Sequence, residues 1–126
     1  MVRKQLTPAI AVDFDGTLCE EKWPGIGDPN WPLIRFLIRW REQGNKVILW
    51  TCRENTMLGL AVDWCAERGL HFDAVNCNLP ERISAYDNDS RKVGADYYID
   101  DSCAYVLDTN NGLFISPPRK ELRFDE

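Results

Sequence analysis

Two acids separated by one residue, Asp13 and Asp15, fall in the run Ala9-Ile10-Ala11-Val12-Asp13-Phe14-Asp15-Gly16-Thr17. Continued as a strand, that spacing would turn both carboxylates the same way, with about 7 Å between their Cα atoms. Such a pair suits two roles around one phosphorus atom: one carboxylate attacks it, and the other handles the proton of the leaving oxygen. Thr51 ends a second apolar run, Val47-Ile48-Leu49-Trp50, and the acids Asp100 and Asp101 end a third, Tyr97-Tyr98-Ile99. With these runs side by side in one sheet, four carboxylates and a hydroxyl meet at one edge although they are distant in sequence. Clustered carboxylates repel one another, and a hard divalent cation relieves the repulsion. Mg²⁺ fits that need, because it sits on one or two carboxylates together with substrate phosphate. Lys92, ahead of the third run, would neutralise charge on a transferring group.

The elements that must position these residues follow from periodicity. Ala9 to Val12 reads as a buried strand, and Gly16 fits a sharp exit from it. Cys19 to Trp31, with Pro24, Gly25, Gly27, Asp28 and Pro29, reads as a turn-rich connection. Helical spacing of Leu33, Leu37 and Trp40, with Ile34 and Ile38, predicts a helix over Leu33 to Arg41, and Gly44 stands where its cap would be. Lys46 to Trp50 is a second strand, Asn55 to Arg68 a second helix stopped by Gly69, and Phe72 to Val75 a short third strand. Asn76 to Lys92 is polar and shows no clear period. Asp96 to Ile99 is a fourth strand, and Leu113 to Ile115 is a candidate fifth. Strands alternating with helices predict an α/β fold, a single Rossmann-like three-layer domain over residues 1–126 with a mostly parallel central sheet. In such a sheet the carboxyl ends of the strands line one crevice, where ligands bind.

On these residues the chain resembles the haloacid dehalogenase superfamily. That family's first motif, a hydrophobic strand then Asp-x-Asp-Gly-Thr, is matched by Val12-Asp13-Phe14-Asp15-Gly16-Thr17. Its second, a strand ending in Ser or Thr, is matched by Val47 to Thr51. Its third, a Lys ahead of the fourth strand, is matched best by Lys92, with Arg91 adjoining it. Its fourth, a strand ending in paired acids, is matched by Tyr97-Tyr98-Ile99-Asp100-Asp101. The motifs follow the family order over residues 9–101.

The resemblance implies a Mg²⁺-dependent phosphatase acting on a phosphomonoester. Asp13 would be the nucleophile that forms an aspartyl-phosphate, and Asp15 the general acid and then base. Thr51 and Lys92 would hold the phosphoryl oxygens. Asp13, the backbone carbonyl of Asp15, and Asp100 would ligate Mg²⁺, with Asp101 beside them. Family members that cleave carbon–halogen bonds lack the second acid of the first motif, so Asp15 favours phosphate chemistry. Arg53, two past Thr51, either reaches a substrate phosphate or makes a surface salt bridge. Many relatives carry a further acid shortly after the fourth strand; here Ser102-Cys103-Ala104 follows, and Asp108 lies farther on. Relatives also often insert a cap domain, but Leu18 to Pro32 and Asn76 to Arg91 are each too short to fold alone. The expectation is a capless protein with an open site, suited to a bulky or macromolecular substrate or to closure by a second subunit of a homo-oligomer.

Composition bounds the rest. The chain has 126 residues, 44% apolar and 11% aromatic, enough for one core and too little for two domains or for disorder. No apolar run approaches the ~20 residues of a membrane helix. The opening apolar stretch is broken at Asp13, unlike a signal peptide, so a cytoplasmic, membrane-free protein is expected. A net charge of −5 disfavours a long nucleic-acid partner, while a nucleotide, a nucleic-acid 3′-phosphate and a sugar phosphate all stay open as substrates. Five cysteines without a Cys-x-x-Cys and a single histidine argue for free thiols rather than a zinc site. Trp23 and Trp31 flank the expected crevice, where they either stack on a base or sugar or pack on the loop. Trp40 and Trp64 fall on helical stripes. Asp87-Asn88-Asp89 hints at a calcium loop, but Arg91 occupies the third ligand slot and a turn is the better reading. Two rival functions stand beside the phosphatase. One is a catalytically silent binding or scaffold module on the same fold. The other is a receiver-type phosphoacceptor domain, which would carry neighbouring acids on its first strand and an Asp at the end of a middle strand, where this chain has Thr51-Cys52-Arg53.

Overall fold

Residues 6–90 and 92–100 are described by the structure, a computed structural model. In chain order the elements are β1 Ala9–Val12, β2 Cys19–Lys22, β3 Gly25–Pro29, α1 Trp31–Glu42, β4 Lys46–Leu49, α2 Asn55–Glu67, β5 Ala74–Val75, α3 Pro80–Tyr86 and β6 Tyr97–Ile99. The four residues of β1 are apolar and all buried, the pattern of a strand covered on both faces of a parallel sheet. It sits inside a four-stranded sheet of order β5-β4-β1-β6 in which every pairing is parallel. The chain moves outward from β1 through β4 to β5, then crosses back to place β6 on the other side of β1. That reversal puts a topological switch point between β1 and β6.

Alternation along the strands divides the core in two. Ile10, Val12, Val47 and Leu49 cluster with Leu33, Ile34 and Leu37 of α1 and with Ala61 and Cys65 of α2. Ala9, Ala11 and Ile48 cluster with Leu79 and Val93 on the opposite face, the side of α3. The α/β fold is thus three-layered, with two helices on one face and one on the other among the described residues. The side chain of Asn30 accepts the Leu33 N–H at the start of α1. Gly44 follows its end at φ +90°, a conformation that costs glycine little.

Two regions differ from the sequence expectation. The turn-rich connection contains an antiparallel hairpin, β2–β3. Its strands approach so closely that a Cβ on Gly27 would run into the backbone of Glu20. The glycine that signals a turn in the sequence is here a condition of strand pairing. The polar stretch after β5 contains α3, which starts with Pro80 at its first turn and buries Arg82 rather than an apolar stripe. Without a stripe it leaves no helical period to read. Strand bounds also shift: Trp50, Phe72, Asp73 and Asp96 fall outside the strands. Asp87 is the left-handed cap of α3, and Asp89 accepts from Asn78. The candidate strand Leu113 to Ile115, and Arg91, Asp101, Ser102, Cys103 and Asp108, lie outside the described residues. No helix among the described residues is long and apolar enough to cross a membrane. Neither expected cap position carries more than the hairpin or the short helix.

Candidate active site

Asp13 follows β1 directly, and its N–H donates to Ile99 O at 2.9 Å, which continues the β1–β6 ladder one step. Val12 pairs with Ile99, so Asp13 and Asp100 succeed one another on neighbouring strands, whose spacing is about 4.8 Å. Both line one cavity of about 550 Å³ together with Thr51, Cys52 and Lys92. The Phe14 N–H donates to Asp13 Oδ1 at 2.8 Å and fixes the orientation of that carboxylate. The structure therefore brings Asp13, Thr51, Lys92 and Asp100 together at the switch point, from four separate places in the sequence.

Thr51 is buried and positioned from two directions. Its N–H donates to the Asn76 side-chain oxygen at 2.7 Å, and its hydroxyl oxygen accepts the Arg53 N–H at 3.2 Å. With an acceptor position of the hydroxyl occupied, the O–H hydrogen is the part left to donate toward the cavity. Lys92 rides on a loop held by Asn78. That side chain donates to Asp89 and to Ser90 O and accepts the Gly94 N–H. The Lys92 ammonium lies 5.4 Å from the centre of the Tyr98 ring, a cation–π distance. Asn76 and Asn78 were not legible as site residues; a polar segment gives no sign of which amides reach back to the strand ends.

Asp15 departs from the expected geometry. β1 ends at Val12, and the chain turns at once: Thr17 and Leu18 both donate to Phe14 O, and Gly16 adopts φ +81°. The alternation that would aim Asp15 with Asp13 no longer applies. Asp15 instead takes both of its oxygens to Arg53, with Nε to Oδ2 and Nη2 to Oδ1 each at 2.7 Å. Arg53 makes a salt bridge, but a buried one rather than the surface pair that is one of its two expected roles. It is only 2% exposed, with its guanidinium 5.0 Å from the Phe14 ring centre and 4.9 Å from that of Trp23. It also donates to Pro24 O and Gly25 O in the hairpin turn. The hydrogen bonds to Asp15 hold this guanidinium above its usual pKa, against the opposing pull of burial. Trp23 thus packs on Arg53 while remaining 54% exposed, and Trp31 packs beneath Arg35.

Two carboxylates from adjacent strands are a donor set that fits Mg²⁺, which asks for one or two and fills its shell with phosphate and water. Among the described residues no group of three or more His, Cys, Asp or Glu gathers as a metal cage. Asp13 and Asp100 are the residues that would hold the ion; the side chain of Asp15 is committed to Arg53.

No protein-family model matches the chain. No curated protein matches it either. Among solved structures, a conserved protein from Bacteroides thetaiotaomicron is 36% identical, with a TM-score of 0.70 over 84% of this chain and 86% of its own.

Proposed function

The chain belongs to the family of that conserved Bacteroides protein, and on the α/β frame the two share we propose a Mg²⁺-dependent phosphomonoesterase of the haloacid dehalogenase type, working through Asp13. One observation carries the reading: two acids, a hydroxyl and an ammonium, from four separate segments, line a single cavity at the switch point of the sheet. Ligand sites in open α/β sheets form at this place.

The residues divide the work of phosphoryl transfer. An oxygen of Asp13 attacks phosphorus, and the bond to the leaving oxygen breaks as the new one forms. The Thr51 hydroxyl and the Lys92 ammonium donate to the phosphoryl oxygens, where negative charge concentrates. Asp13 and Asp100 would hold Mg²⁺, which when bound would supply further positive charge against the repulsion between carboxylate and phosphate. Water then attacks the aspartyl-phosphate and restores the carboxylate. Asp15 is the nearby group to give a proton to the leaving oxygen and to take one from water. Both of its oxygens accept from Arg53 in this arrangement, so the proton enters and leaves Asp15 on the lone pairs that Arg53 does not use.

The test is phosphate release from 4-nitrophenyl phosphate with Mg²⁺, lost on chelation and restored by adding the ion back. A screen of nucleotides, sugar phosphates and 3′-phosphorylated oligonucleotides accompanies it. No release from any of them would reduce the protein to a binding module on this fold.

A further inference from the structure

The cavity is larger than a phosphoryl group needs. At about 550 Å³ it falls within the ~300–1,000 Å³ of small-molecule sites, and the chemistry described above occupies only the edge at Asp13 and Asp100. The remainder has a definite construction. Ala11 lies on the α3 face of the sheet, opposite Ile48 of β4 and Tyr98 of β6. Trp50, two residues beyond Ile48, packs against the same face. The cavity therefore has a small floor, Ala11, with an indole on the β4 side and a phenol ring on the β6 side.

Tyr98 is tied at its ring hydroxyl and Trp50 at its backbone. The Tyr98 hydroxyl donates to Val93 O at 2.5 Å and accepts the Ala95 N–H at 3.2 Å. The Trp50 backbone N–H donates to Val12 O at 2.9 Å, which continues the β4–β1 ladder and fixes the root of its side chain. Each wall is adjacent to the chemistry: Trp50 precedes Thr51, and Tyr98 of β6 stands two residues before Asp100. Aromatic walls beside a phosphate edge reward a ring with a flat π-face and offer few hydrogen-bond partners to a polyol.

Resting on the phosphatase reading, we propose that the substrate is a phosphomonoester with a planar aromatic group, aryl or nucleobase, seated over Ala11 between Trp50 and Tyr98. Neither Trp23 nor Trp31, the aromatics that the sequence places near the crevice, lines this cavity.

Two measurements test it, one of them independent of turnover. Calorimetry with Mg²⁺ compares benzylphosphonate with methylphosphonate, probes that share the phosphonate and differ in the ring. The intact protein is expected to prefer benzylphosphonate by on the order of tenfold, the worth of one stacking contact. Trp50→Leu and Tyr98→Leu are expected to bring the ratio close to one, while Tyr98→Phe, which keeps the ring, retains most of it. Circular dichroism and melting confirm that each variant is folded. In the second measurement, kcat/KM is compared for 4-nitrophenyl phosphate, a nucleoside monophosphate and glycerol phosphate, and the two aromatic substrates should lead. A nucleoside monophosphate ahead of 4-nitrophenyl phosphate assigns the slot to a nucleobase, and the reverse order to a simple aryl group. Turnover without an aromatic preference overturns the slot and leaves the phosphatase standing. Preferential benzylphosphonate binding without turnover of any phosphate keeps the slot and removes the phosphatase. Equal or absent binding of the two phosphonates, in the intact protein, overturns the proposal.

Discussion

The two ends of the sheet use carboxylates differently. At the amino ends of the strands, Asp73 accepts the Val47 N–H at 2.8 Å and a bidentate pair of hydrogen bonds from Arg41. Asp96 likewise accepts the Ala9 N–H at 2.7 Å and Arg82 Nη2 at 2.9 Å. Each acid there joins an N–H near the start of a strand to an arginine on a helix. At the carboxyl ends, Asp13 and Asp100 line a cavity instead, with a threonine and a lysine, and Asp15 is matched to Arg53. Pairing of the first kind is what a fold needs; acids gathered at a cavity are what chemistry needs. The same residue type thus serves stability at one edge and, on the reading above, catalysis at the other.

Exchanging Asp for Asn at each edge gives the largest contrast. Asp13→Asn is expected to lower turnover by on the order of 10³-fold or more, since it removes the nucleophile, with little change in melting temperature. Asp73→Asn should do the reverse. It weakens the charge-assisted bonds from Arg41 and costs about 1–3 kcal/mol of stability, measured by urea unfolding, while turnover per folded molecule stays near the parent value. An active Asp13→Asn would break the distinction between the edges.

Arg53 lies between these two cases, and its variants locate it. Arg53→Met leaves Asp15 beside an apolar side chain and also releases the hairpin carbonyls, for an expected loss of about 3 kcal/mol. Arg53→Lys keeps the charge but cannot make the bidentate contact. If Arg53 only supports the fold, kcat recovers in Arg53→Lys as far as stability does. If it also positions Asp15 for proton transfer, kcat stays low and its pH profile changes while KM moves little. A double-mutant cycle with Asp15→Asn measures the coupling directly.

Acid sharpens the comparison at the structural edge. Burial alone would push the Asp73 carboxyl up, but the hydrogen bonds from Arg41 and the Val47 N–H and the charges of Arg41 and Lys46 outweigh it and hold the group below its ordinary 3.8. A carboxylate lowered in the folded state contributes stability above its unfolded value, and that contribution disappears as pH falls through the lower folded value. Unfolding free energy should therefore drop with pH below about 4, and the drop should be shallower in Asp73→Asn.

How far the sequence reveals all this depends on the kind of signal. β1 is legible to the residue because four buried apolar residues end at an acid, and α1 and α2 are legible because they carry apolar stripes. Asp13, Thr51, Lys92 and Asp100 could be placed at one edge because parallel strands deliver their carboxyl ends to the same side. Asp15 could not be placed correctly. Its direction depends on the turn after Val12 and on an arginine far along the chain that is buried by Phe14 and Trp23. The aromatic walls were missed for a related reason. Trp50 and Tyr98 look like strand residues, and only the register that sets Tyr98 and Ile48 on either side of Ala11, with Trp50 two residues past Ile48, makes them neighbours of a cavity.

Cysteine chemistry separates the two kinds of environment with the smallest perturbation. Cys52 is exposed and lines the cavity, whereas Cys65 is buried on α2 in the main core. Burial, reinforced by Cys19 and only partly offset by Arg68, pushes the Cys65 thiol up to about 12. At pH 8 iodoacetamide should therefore modify Cys52 within minutes and leave Cys65 intact until the chain unfolds, as peptide mass mapping would show. Inorganic phosphate with Mg²⁺ should slow only the Cys52 reaction. The same burial sets an alkaline limit. An acid raised in the folded state contributes full stability below its unfolded value of 9.0, and that contribution declines as pH rises from there toward 12. Urea midpoints should fall over that window as Cys65 ionises in the unfolded chain alone. Rapid labelling of Cys65 in the folded protein at pH 8 would show the α2 side of the core to be as open as the cavity, and the contrast between a structural interior and a reactive edge would be lost.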